Sequence, residues 1–139
     1  MYQKDFLLRM IEMLGLFVAE ILRRIKKGDF QEATLLIDHA YQDLLKRNVI
    51  FFDKIPLRNL TDSLIQEYNY TNGHLEILSE LFYTQAELNY AQNNQDESLK
   101  YYQKSLHLLN FVIEESKTFN FDKQTKLSHM RNRIAELEI

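Results

Sequence analysis

The sequence predicts an all-α protein, a single domain of five or six antiparallel helices. Apolar residues recur at helical spacing along most of the 139 residues. Only 3 Gly and 1 Pro are present, which suits long helices joined by short connections. The single strand-like run, Val49 to Phe52, has no second strand to pair with. We therefore expect it to be a buried loop or the end of a helix.

The composition excludes several classes of protein. The formal net charge of −3 provides no basic surface for nucleic acid. With no Cys, the chain has no disulfide, no thiolate zinc site and no cysteine nucleophile. Its longest apolar run, Met13 to Ala19, is far shorter than the ~20 residues that a membrane span needs. We therefore expect a cytoplasmic protein with neither nucleic acid nor membrane as its partner.

The first predicted helix, about residues 4–27, is apolar on more than one side. Its apolar rows together are wider than the ~100° stripe of an ordinary surface helix. One row, the candidate homodimer face, holds Phe6, Met10, Met13 and Phe17, continued by Ile21, and the other holds Leu7, Ile11, Leu14, Val18, Leu22 and Ile25. We expect one side to be buried in the domain and the other against a second subunit.

The end of this helix is basic and is followed by a break. Arg23, Arg24, Lys26 and Lys27 lie in its last turns. Positive charge there suits the helix dipole, and an anion site is the alternative. Gly28 predicts the stop of the helix and Asp29 the cap of the next one.

Four further breaks divide the rest of the chain. Helices are expected at about Phe30–Arg47, Pro56–Tyr68, His74–Gln92, Asp96–Thr118 and 122–137. The clearest of the later loops is the polar stretch from Asn69 to Gly73. In the last helix, four apolar residues share one face: Leu127, Met130, Ile134 and Leu137.

Two segments repeat a pattern of small residues seven positions apart. KKGDFQEATLLIDHAYQDLL, from Lys26, contains Ala33 and Ala40, and QNNQDESLKYYQKSLHLLN, from Gln92, contains Ser98 and Ser105. Residues seven apart share a helix face, so these four are predicted helix-packing positions at which a neighbouring helix approaches closely.

The order of turn, Asp, acidic residue and two small residues resembles the loop and second helix of the tetratricopeptide repeat (TPR), a helix-turn-helix unit of about 34 residues. The resemblance implies a TPR-like array of the right-handed superhelical type, with elements at about 14–47 and 78–112. Phe82 and Ala86 fit the first helix of the later unit, whereas Ile21 stands where a small residue belongs. The opening MYQKDFLLRMIEMLG is also similar to a family of small, uncharacterised bacterial TPR-like proteins, which implies a fold and no activity.

No constellation of residues points to catalysis. His39, His74, His107 and His129 are widely separated, and none lies in an H-E-x-x-H motif. The sequence has no Gly-rich phosphate loop and no nucleophile elbow. We therefore expect structural or surface histidines, no metal, no cofactor and no enzymatic activity.

In a TPR-like array, the first helix of each unit lines a groove. In the later unit the groove positions are the candidate partner-binding residues Glu80, Tyr83, Glu87 and Tyr90, which form one stripe of alternating acid and aromatic. Tyrosine offers a large contact area with a polar tip, and the acids favour a basic or amide-rich peptide. Alternatively, the stripe covers a neighbouring helix. The same positions of the early unit are apolar (Gly15, Val18, Leu22 and Ile25), so we expect another helix or a second subunit to close that part.

The sequence thus predicts a non-catalytic scaffold or adaptor that acts through a protein or peptide partner. The alternative is a small-molecule or peptide sensor with a closed apolar pocket against the first helix.

Overall fold

The computed structural model describes residues 2–117 and 120–139. These residues form α-helices and short connections, without a strand, so the all-α prediction is confirmed. The helices are α1 (Tyr2–Lys26), α2 (Phe30–Leu45), α3 (Val49–Asp53), α4 (Leu60–Tyr68), α5 (Asn72–Ala91), α6 (Gln95–Ser116) and α7 (Phe121–Leu137), with a 3₁₀ turn at Leu57–Asn59. The predicted end of the fifth helix at Thr118 lies outside the described residues.

The strand-like run accounts for the difference between these seven α-helices and the expected five or six. Where we expected a loop or the end of a helix, the chain forms the separate helix α3. Asn48 caps it by accepting a hydrogen bond of 3.1 Å from the backbone N–H of Phe51. Phe52 is fully buried and packs edge-on against Phe51. Burial of these rings and the cap therefore override the strand preference of Val and Ile.

The break between α1 and α2 contains Gly28 in the left-handed region, with φ of +78°, as a helix-ending glycine requires. Asp29 occupies the capping position of α2, but its side chain does not cap that helix. Instead, its carboxylate accepts a hydrogen bond of 3.0 Å from Arg24 Nη1. Glu20 also pairs with Arg23 and Arg24, and the hydrogen bond from Arg23 lowers the pKa of Glu20 to about 2. Much of the basic helix end is therefore neutralised within the chain.

Helix α5 is central to the fold. It packs against α1 and α2 on one side and forms an antiparallel hairpin with α6 on the other, and α7 packs against α6. Residues Ile77, Leu78, Leu81 and Phe82 of α5 are fully buried. Because neighbours surround it, α5 sets the positions of the other long helices.

The four small residues lie at helix interfaces and are fully buried: Ala33, Ala40, Ser98 and Ser105. Ser105 Oγ donates to the carbonyl of Ser79 at 2.7 Å, and Ser79 Oγ donates to the carbonyl of Ser105 at 2.9 Å. Ser98 Oγ donates to the carbonyl of Ala86 at 2.9 Å. These side chain-to-backbone bonds hold α5 and α6 at close approach.

None of the helices in the described part of the chain combines the length and the apolar character that crossing a bilayer requires.

Candidate partner-binding groove

A groove runs between α1 and α7 over α5. It consists of two cavities of about 440 Å³ and 280 Å³, both of which touch Leu22. The larger is lined by Ile11, Leu14, Gly15, Val18, Ala19 and Leu22 of α1 with Glu76, Glu80 and Lys126; the smaller is lined by Leu22, Ile25, Lys26, Glu87, Tyr90, Ala91 and Arg133. We call this feature the α1–α7 groove.

One wall of the groove comes from α1 and is apolar except at its end, where Lys26 lines the smaller cavity. This wall contains the four groove positions that were predicted for the early TPR-like unit: Gly15, Val18, Leu22 and Ile25. A Cβ atom added to Gly15 would meet no atom within 4 Å, so this position faces open space. We expected another helix to cover this wall, but within the described residues none covers it at Gly15. Helix α7 lies on the far side of the groove instead.

The opposite wall is a row of ion pairs between α5 and α7. Lys123 Nζ lies 2.7 Å from Glu76, and Lys126 Nζ lies 2.6 Å from Glu80. Nearly three turns farther along both helices, Tyr90 Oη donates to Glu136 at 2.8 Å. The partners keep an almost constant offset in sequence, so the two helices run parallel. This wall is polar and its charges are paired.

The predicted stripe lies on this wall, and each of its four members contacts α7. The ring of Tyr83 is beneath Lys126 Nζ, 4.6 Å from the ring centroid, and that of Tyr90 stacks on Arg133 at 3.6 Å. Tyr83 is only 8% exposed. Glu80 and Glu87 both face bases on α7. The stripe thus covers a neighbouring helix, and its carboxylates provide little unpaired charge to favour a basic peptide.

A hydrogen-bond network centred on Glu87 lies under the same wall. Its carboxylate accepts a bond of 2.9 Å from Tyr83 Oη and another from Tyr102 Oη. Arg133 Nε donates to Tyr102 Oη at 3.3 Å, and His129 Nε2 lies 3.4 Å from Glu87 Oε1. Burial, together with the Glu87 carboxylate, raises the pKa of both tyrosines well above the usual range. Both tyrosines therefore remain neutral hydrogen-bond donors.

This network is not predicted by the sequence pattern. Its members come from three helices, and only the i, i+4 spacing of Tyr83 and Glu87 is a local signal. The carboxylate of Glu87 is already occupied by its neighbours, so the network fixes α7 to α5 and α6. Among the described residues, no group of three or more His, Cys, Asp or Glu is arranged to hold a metal ion.

The candidate homodimer face is divided by the structure. Phe6 and Met13 are 59% and 45% exposed, whereas Met10 is buried in the core of its own chain. Met10 shares a helix face with Leu14, which is also buried, so it is unavailable to a second subunit. Phe17 is partly buried, and the most exposed apolar residue nearby is Leu16, at 76%. The outward face therefore includes Leu16 and excludes Met10.

Comparison with known proteins gave no match to a family model, a curated protein or a solved structure.

Proposed function

We propose that this protein is a non-catalytic protein–protein interaction module, a TPR-like helical array whose α1–α7 groove binds an amphipathic segment of a partner protein. Helices α1, α5 and α7 take the place of the groove-lining first helices, and α2 and α6 take the place of the second helices.

Three features support the TPR-like arrangement. The helix α5 packs against both members of the preceding hairpin, as the first helix of a following repeat does. Helices α5 and α7 run parallel, with Glu80 and Lys126 46 residues apart, which exceeds the ~34 residues of a standard repeat because α5 and α6 are long. Buried small residues allow the close approach of α5 and α6.

The observation that carries the binding proposal is the pairing of an apolar wall with a polar one. The partly exposed Val18, Leu22 and Ile25 favour the apolar side of a ligand. The ion pairs on the facing wall favour amide or hydroxyl groups, since a further charge would compete with partners already in place. A segment with one apolar and one polar side fits both walls.

Gly15 offers a blocking variant that leaves the core intact. Peptides selected from a random display library on the wild-type protein would be measured by fluorescence anisotropy against Gly15→Gln and Gly15→Ala. The glutamine side chain enters the open space of the groove, and we expect it to weaken binding about tenfold, or roughly 1.4 kcal/mol. The alanine variant adds a single carbon and should retain binding. Failure to select any peptide, or equal affinity for all three proteins, would contradict the proposal.

The second candidate function is a small-molecule sensor. A volume of about 440 Å³ falls within the usual ~300–1,000 Å³ of ligand pockets, and its α1 wall is apolar. A thermal-shift screen separates the two functions, because a ligand that binds the native state raises Tm. Stabilisation by small apolar molecules that is lost in Gly15→Gln, with no peptide selected, would favour the sensor.

A further inference from the structure

The outward face of α1 exposes large apolar side chains that nothing in the described chain covers. Phe6 is 59% exposed, Met13 45% and Leu16 76%. Met13 and Leu16 also line a shallow depression of about 270 Å³, together with Phe17 and Glu20 of α1 and Leu36 of α2. Contiguous exposed apolar patches of this kind mark interaction surfaces on folded proteins.

The exposed residues Phe6, Met13 and Leu16 belong to a row with coiled-coil spacing. We define the outer seam of α1 as Phe6, Arg9, Met13, Leu16, Glu20 and Arg23. Its members alternate three and four positions apart, which is the a/d spacing at which one helix packs along another. Gly15 of the α1–α7 groove is two positions from Met13 of the outer seam. On an α-helix, residues two apart point in nearly opposite directions, so Gly15 projects to the other side. The outer seam is therefore separate from the groove.

The charges of the outer seam are complementary to those of a reversed copy of itself. If two α1 helices cross antiparallel about a two-fold axis, Met13 of each copy meets Leu16 of the other. Arg9 of each then faces Glu20 of the other, and Phe6 faces Arg23, a pairing of ring and guanidinium. In a parallel arrangement, Arg9 would face Arg9 and Glu20 would face Glu20. Like charges at those layers disfavour the parallel form.

We infer that the outer seam joins two copies of this chain in an antiparallel, two-fold symmetric contact, with Arg9 of each copy on Glu20 of the other. Glu20 already accepts hydrogen bonds from Arg23 and Arg24. An ionised carboxylate has about four lone-pair sites, so it can also accept a bond from Arg9. An isologous contact of this type closes on itself and yields a dimer without further growth.

Sedimentation velocity at micromolar concentration tests the contact. The wild-type protein is expected to sediment as a dimer, and Leu16→Glu as a folded monomer with unchanged helical circular dichroism. The matched control is Leu8→Glu, which also places a charge on α1 but at a 52% exposed position off the outer seam, and which should remain dimeric. A monomeric wild type, or a Leu16→Glu protein that remains dimeric, would overturn the inference.

Cysteine cross-linking tests the direction, because the chain contains no cysteine of its own. Arg9→Cys and Glu20→Cys proteins would be oxidised separately and as a mixture. The antiparallel contact brings residue 9 next to residue 20 of the second copy and leaves the two residues 9 about 16 Å apart along the helix axis. Disulfide-linked dimers are therefore expected only in the mixture, whose mixed dimer also retains one Arg9–Glu20 pair. Cross-linking of Arg9→Cys alone would show the parallel arrangement and overturn the inference.

Discussion

His74 holds the first turn of α5 in place through a ring nitrogen. The backbone N–H of Thr71 donates to His74 Nδ1 at 3.1 Å, and the backbone N–H of His74 donates to Thr71 Oγ1 at 3.5 Å. The ring also stacks on Tyr70, with the centroids 4.8 Å apart. Burial lowers the pKa of His74. Protonation would turn the accepting Nδ1 into a donor, so the folded state favours the neutral ring.

The stability of the protein should consequently depend on pH through His74. Its contribution is fully present above the unfolded-state pKa of about 6.5 and declines as the pH falls below that value, because the unfolded chain then binds more protons. In His74→Gln, the side chain can still form the capping box but does not titrate. The free energy of unfolding, measured by urea denaturation between pH 5 and pH 8, should depend less steeply on pH for this variant than for the wild type. An equal dependence on pH for both proteins would mean that protonation of His74 is not coupled to folding.

The hairpin of α5 and α6 depends on small side chains at the contact between the two helices. Ser105 and Ser79 each donate a hydrogen bond to the carbonyl of the other, and Ser98 does the same to Ala86. A larger side chain at Ser105 or Ser98 would have to displace the facing helix. Close-packed interiors do not accommodate such a change without strain.

Substitutions at Ser105 should separate the role of its size from that of its hydroxyl group. Ser105→Ala keeps the small volume and loses one hydrogen bond, so we expect a loss of about 1 kcal/mol in the free energy of unfolding. Ser105→Leu adds volume as well, and we expect a total loss of about 2–4 kcal/mol. The control is His107→Leu on the exposed side of α6, which should change stability by less than about 0.5 kcal/mol. Chemical denaturation of the three variants provides the measurement, and similar losses for alanine and leucine would argue against a close contact.

Much of this helical arrangement follows from local signals, whereas the contacts that α7 makes across the candidate groove do not. Gly28, the polar stretch from Asn69 to Gly73 and the buried small residues predict breaks and contacts because each acts within a few residues or one helix face. The α3 helix was missed because its Val-Ile-Phe-Phe run satisfies a strand pattern and becomes helical through burial of Phe52. Apolar residues occupy most sides of α1, and the predicted rows included Met10 but left out Leu16, so the sequence alone did not show that Met10 is buried and Leu16 exposed.

The packing of α7 against α5 depends on residues that are far apart in the chain. The residues that join it to α5 are about 46 positions apart, so no local spacing predicts their contact. Lys126 and Glu80 are both largely shielded from solvent, with side chains 24% and 19% exposed. Partial burial strengthens such a pair relative to an exposed one, because solvent and salt screen it less.

Reversal of charge across this contact should destabilise the protein, and reversal of both charges should restore it. Lys126→Glu or Glu80→Lys alone is expected to lower the free energy of unfolding by about 1 kcal/mol, and the double variant to recover at least half of that loss. The comparison is Lys100→Glu, because the partner of Lys100, Glu97, lies on the same helix and has a side chain that is 53% exposed. This variant should lose less free energy of unfolding. Thermal unfolding at low and high salt would measure these differences. Additive losses in the double variant would show that the two residues do not interact.

The outer seam and the groove lie on opposite sides of the single rigid helix α1. Two copies joined through their seams would therefore direct their grooves away from each other. Such an assembly is bivalent: once the first site is occupied by a partner with two tethered segments, the second site binds at a raised effective concentration, provided that the tether is long enough to span the two outward-facing grooves. Avidity would then allow grooves that are individually weak to retain a repetitive or clustered partner and to release a solitary one quickly.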